Sequence, residues 1–235
     1  MKRFVYLMLV ALPLLAMSVY VASGKPSSPT APIEVGSATG GQNAVEFVGR
    51  VDQDGGAFTS YGYLTHISGL TDTLLFTQVF TTNETTARFT YYATATLTSR
   101  AVISGVFVID SVGTTVYYFN PTAGATFTTP LSFAAGVPIM TATVRSQNIL
   151  TVQGPNVGIS TNIGELTQTG VSPFTLNTQT YQLGRVGVLE RTWSTGEGTR
   201  TNAVIPQSFI VLSGNAVVTG VPGQASFIPL VMHNQ

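Results

Sequence analysis

The sequence predicts an all-β fold, a single antiparallel barrel or sandwich of about ten to twelve strands. Three observations carry this. Apolar and polar residues alternate with a period of two along most of the chain, turn residues recur at short intervals, and no stretch shows the apolar spacing of an amphipathic helix. The alternation is clearest in "ARFTYYATATLTS", Ala87 to Ser99. There Phe89, Tyr91, Ala93, Ala95 and Leu97 fall on one face, and Thr90, Tyr92, Thr94, Thr96 and Thr98 on the other. That is a half-buried strand, since a helix would scatter the threonines around its surface. One wet face per strand argues against a doubly covered parallel sheet. The lack of a fixed-period repeat argues against a propeller or β-helix. Periodicity does not separate barrel from sandwich.

Four segments follow in order. Residues 1–23 have the layout of a secretory signal peptide: basic Lys2 and Arg3, an uncharged apolar run, then small residues at Ala22, Ser23 and Gly24. The rival is an uncleaved anchor helix, against which Pro13 and the small residues weigh. Residues 24–42 are rich in Pro, Ser, Thr and Gly and predict a flexible spacer. Residues 43–221 are the all-β domain, and 222–235 a C-terminal tail or final short strand. The domain is long enough to bury a core without staples, and the chain has no cysteine.

Within the domain, "VEFVGRV" and "AFTSYGYLTHI" form a hairpin across "DQDGG". "AVISGVFVI" and "TTVYYF" pair across "DSVG", and "NILTVQ" stops at "GPN". "FTLNTQTYQL" meets "VGVLERTW" across Gly184-Arg185, and Ser213, Gly214 and Asn215 mark a bend or bulge. Asn120 to Pro138 is the longest irregular connection, with one helical turn in "LSFAAG".

Charge narrows the function. The chain has 10 basic and 10 acidic residues, and without Lys2 and Arg3 eight basic face ten acidic, a net charge of −2. No basic stripe offers itself to nucleic acid or to an anionic membrane. The 35 threonines supply solvation without charge. Recurrent threonine on the non-core face also speaks against an outer-membrane barrel, whose outer face is apolar.

The chemical inventory is thin. His66 shares a face with Leu64 on strict alternation and is a strand-end histidine held by a hydrogen bond, or else a ligand contact. His233 stands near the C-terminus. Two distant histidines without cysteine do not make a zinc site, and no G-x-S-x-G elbow is present. Asp52 and Asp54 start a calcium-loop pattern that then fails at Ala57 and Tyr63, so a hairpin is the better account. Asn83-Glu84-Thr85 is a glycosylation acceptor in a host that uses it. No phosphate loop, dinucleotide fingerprint or haem motif occurs, so no cofactor is expected.

The exception is "LERTWSTGEGTR", Leu189 to Arg200. It holds the single tryptophan, Trp193, with Glu190, Arg191, Glu197 and Arg200, in a chain only 9% charged. Glu190 and Glu197 could approach if they sat on opposite arms of a hairpin. The small-residue turn "STGEG" favours a solvated hairpin end with Trp193 over its base. Candidate ligand contacts are therefore Trp193, Glu190, Arg191, Glu197, Arg200, Tyr92 and His66, with no catalytic residue assigned. Of the doublets Tyr91-Tyr92 and Tyr117-Tyr118, one ring faces in and one out.

Two functions fit. The first is an exported non-enzymatic β-domain, secreted or in the cell envelope, that binds a glycan, a small apolar ligand or a protein, or that self-associates through poorly defended strand edges. The alternative is a small β-barrel enzyme of cyclase-like or dirigent-like type, an analogy of architecture only. A hollow barrel lined by Tyr, Phe and one Arg or Glu would favour the alternative.

Overall fold

In the computed structural model, which describes residues 31–38, 40–202 and 204–221, eleven strands build a closed eight-stranded antiparallel barrel and a separate three-stranded sheet. The barrel comprises β2 (Asn43–Asp54), β3 (Ala57–Ile67), β4 (Phe89–Ile103), β5 (Val106–Phe119), β6 (Val137–Gly154), β7 (Val157–Val171), β10 (Leu189–Asn202) and β11 (Gln207–Gly220). Successive strands pair as a meander, and β11 returns to β2 to close the wall. The small sheet holds β1 (Ile33–Val35), β8 (Phe174–Leu176) and β9 (Gln179–Leu183), with β1 parallel to β9. Residues 1–23, expected as a signal peptide, and 222–235, expected as a C-terminal tail or final short strand, lie outside the described residues.

Closure decides between barrel and sandwich, and it pairs most of each long strand on both sides. Among the described residues, unpaired edges remain on β1 and β8 and along residues 98–103 of β4, which outruns β3.

The two ends of the barrel are connected differently. At one end, tight turns join β2 to β3, β4 to β5 and β6 to β7, and a slightly longer one joins β10 to β11. Ser104 and Gly105 both take positive φ (46° and 84°), as a two-residue hairpin turn of matching twist requires. At the other end the connections 68–88, 120–136 and 172–188 are long and carry the small sheet and two 3-10 turns, Asp72–Leu74 and Pro130–Ala134. They bring aromatic side chains with them. Phe89, Phe119 and Phe174 form a triangle with ring centroids 5.1 to 5.4 Å apart, and Tyr181 stacks on Phe174 at 5.8 Å. Outside the wall, Tyr61 and Tyr63 of β3 pack under Phe76, Phe127 and Phe133. Thr90 Oγ1 donates to the Phe133 carbonyl at 2.6 Å and ties that cover to β4.

Several local expectations are corrected. "DSVG" lies inside β5, because Ser104-Gly105 supplies the turn and both flanks of Asp110 to Gly113 are paired. β9 does not pair with β10; it turns back on β8 through Asn177 and Thr178, both at positive φ. Ser213 to Asn215 is regular strand, and the register shift against β2 falls between Ala216 and Val217. The connection 68–88 is longer than 120–136, although the helical turn in the latter is present. Residues 33–35, placed by composition in the spacer, form β1, because Val35 is buried against the main core.

The largest correction concerns "LERTWSTGEGTR". It is not a hairpin end but one continuous strand, β10, paired on both sides. Its glycines are there for close approach rather than for turning: a Cβ on Gly196 would collide with the Val211 carbonyl and Leu212 on β11.

Candidate ligand cavity

Inward-facing residues change size along the barrel axis. Toward the long connections they are Phe89, Tyr91, Tyr117, Phe119 and Leu166, all buried. Midway along the axis they shrink to Ser60, Ala93, Ala95, Ser111 and Ser146, and at the hairpin rim they grow again to Phe58, Phe107, Ile109 and Leu150. The wall encloses a cavity of about 660 Å³ that opens among the hairpins, a volume suited to a drug-sized molecule. The arc formed by β11, β2, β3 and β4 offers mainly apolar groups, among them Phe47, Phe58, Ala93, Ala95, Leu97 and Leu212. The arc formed by β5, β6, β7 and β10 carries Ser111, Ser146, Asn148, Asn162, Thr192 and Ser194.

Tyr91 and Tyr117 make the floor, with ring centroids 6.1 Å apart, and Phe47 meets Tyr91 edge-on at 5.7 Å. The Tyr91 ring fits because β2 and β3 have glycine beneath it. A Cβ on Gly62 would stand 2.8 Å from Tyr91 Cε1, and one on Gly49 would run into the Tyr91 hydroxyl. Tyr91 Oη is buried without a hydrogen-bond partner among the described residues. Burial raises the pKa of both tyrosines well above the ordinary phenol value, with nearby Glu190 adding to the effect at Tyr117.

Glu190 sits one step below, paired in register with Leu166 of the cavity lining. It is 3% exposed. Gln168 Nε2 donates to its Oε1 at 2.7 Å, while Oε2 has no partner among the described residues. Gln168 is held in turn by the Arg185 backbone N–H, which donates to its Oε1 at 2.8 Å. Burial pushes the Glu190 carboxyl up to about 7, against the smaller opposing effect of the Gln168 bond.

At the mouth, Arg100 lies over the Phe107 ring, its Cζ 4.9 Å from the centroid. Arg200 Nε donates to the Asn202 carbonyl at 2.9 Å.

The seven candidate contact residues do not gather. Strand alternation on β10 turns Glu190 inward and Arg191, Trp193 and Glu197 outward. Glu190 and Glu197 thus occupy opposite faces of one strand and make no carboxylate pair. Arg191 stands across from Glu165, which also faces Arg145 on its other flank, so charges alternate along the outer wall. Trp193 is 48% exposed, between Ile163 and Asn215. Arg200 does line the cavity mouth. Tyr92 is on the outer wall, half-buried between Tyr61 and Val116. His66 Nδ1 is 2.8 Å from Asp72 Oδ1 at the closed end. A bulge in the β2–β3 ladder there breaks alternation, so Leu64 and Ile67 are both core and His66 is half-buried between them. The "DQDGG" segment is a hairpin, and its Asp52 accepts hydrogen bonds from Arg50 Nε at 2.7 Å and Tyr61 Oη at 2.6 Å.

The residues that matter most to the cavity were missed: Phe47, Phe58, Phe107, Asn148 and Asn162. A usable signal was present. The inward parity passes from bulky to small or neutral polar residues in mid-strand, and bulky ones return at the hairpin rim on β3, β5 and β6. Comparison with protein-family models, with curated protein sequences and with solved structures finds no match to this chain.

Proposed function

We propose that the chain is an exported, non-enzymatic β-barrel that captures or carries a small, largely apolar molecule in the open half of its barrel. One observation carries this reading: the inward positions of eight strands leave about 660 Å³ unfilled directly above a tightly packed core. Well-packed interiors do not keep such space without an occupant. Lys2 and Arg3, followed by an uncharged apolar run and small residues, support export. The alternating charges Arg145, Glu165 and Arg191 on the outer wall support a water-facing exterior.

The test is a titration with prodan, a neutral fluorophore whose emission reports a dry site. The wild type is expected to bind it saturably at one site, and Ala95→Trp, which fills the cavity from β4, is expected to abolish binding while leaving the thermal transition in place. Absence of saturable binding to the wild type would overturn the reading.

The same hollow barrel, lined by Tyr91, Tyr117, Phe47, Phe58 and Arg100, also fits a second reading, a small barrel enzyme of cyclase-like or dirigent-like type, which one further observation favours. Glu190 is a buried carboxyl poised near neutrality beside a tyrosine at the cavity floor, a placement suited to proton transfer. Mass spectrometry of the molecule co-purifying from the native host separates the two. The same compound on wild type and Glu190→Gln supports carriage, and a chemically altered compound on the wild type alone supports catalysis.

A further inference from the structure

The two arcs of the cavity wall differ in a way that specifies the occupant. We infer that the cavity selects an uncharged ligand with one apolar face and with hydroxyl or carbonyl groups along the opposite edge, and that Asn162 reads those groups. This rests on the ligand-binding reading given above.

Asn162 occupies the middle of the polar arc. Asn148 of β6 and Ser194 of β10 flank it in direct cross-strand register. The outer members of the arc are tied to one another: Ser111 Oγ and Ser146 Oγ lie 2.9 Å apart, and Asn148 Nδ2 donates to Ser160 Oγ at 2.7 Å. The side chains of Asn162, Thr192 and Ser194, by contrast, make no hydrogen bond among the described residues, and all three line the cavity. An amide and two hydroxyls face a space whose mouth is ringed by Phe58, Phe107 and Leu150. These groups open onto the cavity, where water satisfies them until a ligand that brings its own donors and acceptors takes its place.

The facing arc offers fewer polar groups. At the same depth it presents Phe47, Ala93, Ala95 and Leu212, with hydroxyls at Ser60 and Tyr91. The charged lining residues, Arg100 and Arg200, stand at the mouth, so an ionised group in mid-cavity would meet no opposite charge there and would lose its hydration. Ring or chain compounds carrying oxygen on one edge satisfy both walls at once; plain hydrocarbons satisfy only one.

The experiment pairs two fluorescent probes of different chemistry: prodan, whose ketone accepts hydrogen bonds, and diphenylhexatriene, a hydrocarbon. Asn162→Leu is expected to weaken prodan binding about tenfold, as loss of a buried hydrogen bond does, and to shift the bound emission to the blue. Diphenylhexatriene binding is expected to hold or to tighten. Thr192→Val combined with Ser194→Ala, both close in shape to the native side chains, is expected to move the probes the same way and provides the measurement if Asn162→Leu does not fold. If these variants bind prodan as the wild type does, or weaken both probes equally, the inference falls and the cavity reading stands. If the wild type binds neither probe, both fall.

Discussion

The closed and open ends of this barrel are made from the same eight strands and contain different things. At the closed end the connections are long, and they deliver Phe76, Phe127, Phe133 and Phe174 to the wall and its interior. Strand β3 is therefore buried on both faces there, with Tyr61, Tyr63 and Leu64 all in the core. At the open end the short connections bring no aromatic cover, and the small inward side chains of mid-barrel, Ser60, Ala93, Ala95, Ser111 and Ser146, do not meet across the axis below a rim of Phe58, Phe107 and Leu150. The difference shows that barrel closure alone does not make a core. A barrel of this size is filled or hollow according to the residues at alternate positions and what its loops carry in.

The contrast is broken or sharpened first by truncating one aromatic at each end. Phe89→Ala removes a fully buried ring from the closed-end cluster and is expected to destabilise by about 3–5 kcal/mol in urea unfolding. Phe58→Ala, at the already hollow end, is expected to lower stability by no more than about 1 kcal/mol, since the site has little packing to lose. Equal losses would mean that the open end is packed in solution.

Glu190 lies where the two ends meet, and its ionisation gives the next largest effect. The unfolded chain releases this proton near 4.5, while the folded barrel keeps it up to about 7. Below 4.5 both states are protonated and the residue adds no pH dependence. Between 4.5 and 7 only the unfolded chain gives up the proton, so stability falls as pH rises, and the loss persists at its full size above 7. Glu190→Gln keeps a group that can meet Gln168 and removes the charge. It is expected to erase this slope and to exceed the wild type by about 3 kcal/mol near pH 8. A slope unchanged in the variant would show that Glu190 is not the group responsible.

Gly49 tests how the floor is built. Gly49→Ala places a methyl against the Tyr91 hydroxyl and the Tyr61 carbonyl, so Tyr91 must leave its position over β2. Overpacking of this kind is expected to destabilise by about 1–3 kcal/mol and, unlike Phe89→Ala, to alter prodan binding as well, because the displaced ring enters the cavity.

How much of this was legible in the sequence follows the same division. The alternation of "ARFTYYATATLTS" correctly placed Tyr91, Ala93, Ala95 and Leu97 on the inner face, because each residue along β4 is set by a local period of two. The class of fold, the "DQDGG" hairpin and the strand stop at "GPN" were legible for the same reason. Closure was not, since pairing of β11 with β2 joins residues more than 150 apart. Nor was the role of glycine on β10. In "STGEG" glycine resembles a turn former, yet Gly196 is needed because the neighbouring strand comes too close for a side chain. That misreading turned a wall strand into a hairpin tip and placed Glu190 and Glu197 on one site. The polar arc escaped notice because Asn148, Asn162 and Ser194 are scattered over three strands and become neighbours only in register.

Trp193 gives the smallest expected effect and the cleanest separation of wall from cavity. The indole is outward and half exposed, while its neighbour Ser194 points into the barrel. Trp193→Phe is expected to change stability by less than about 0.5 kcal/mol and to leave the affinity for prodan unaltered. The single tryptophan of the wild type also sits on the wall beside the bound probe without touching it. Its emission should therefore be quenched by energy transfer when prodan binds, with no shift in its own maximum. A shifted maximum would place the ligand on the outer face of β10, where charge and composition had first suggested looking.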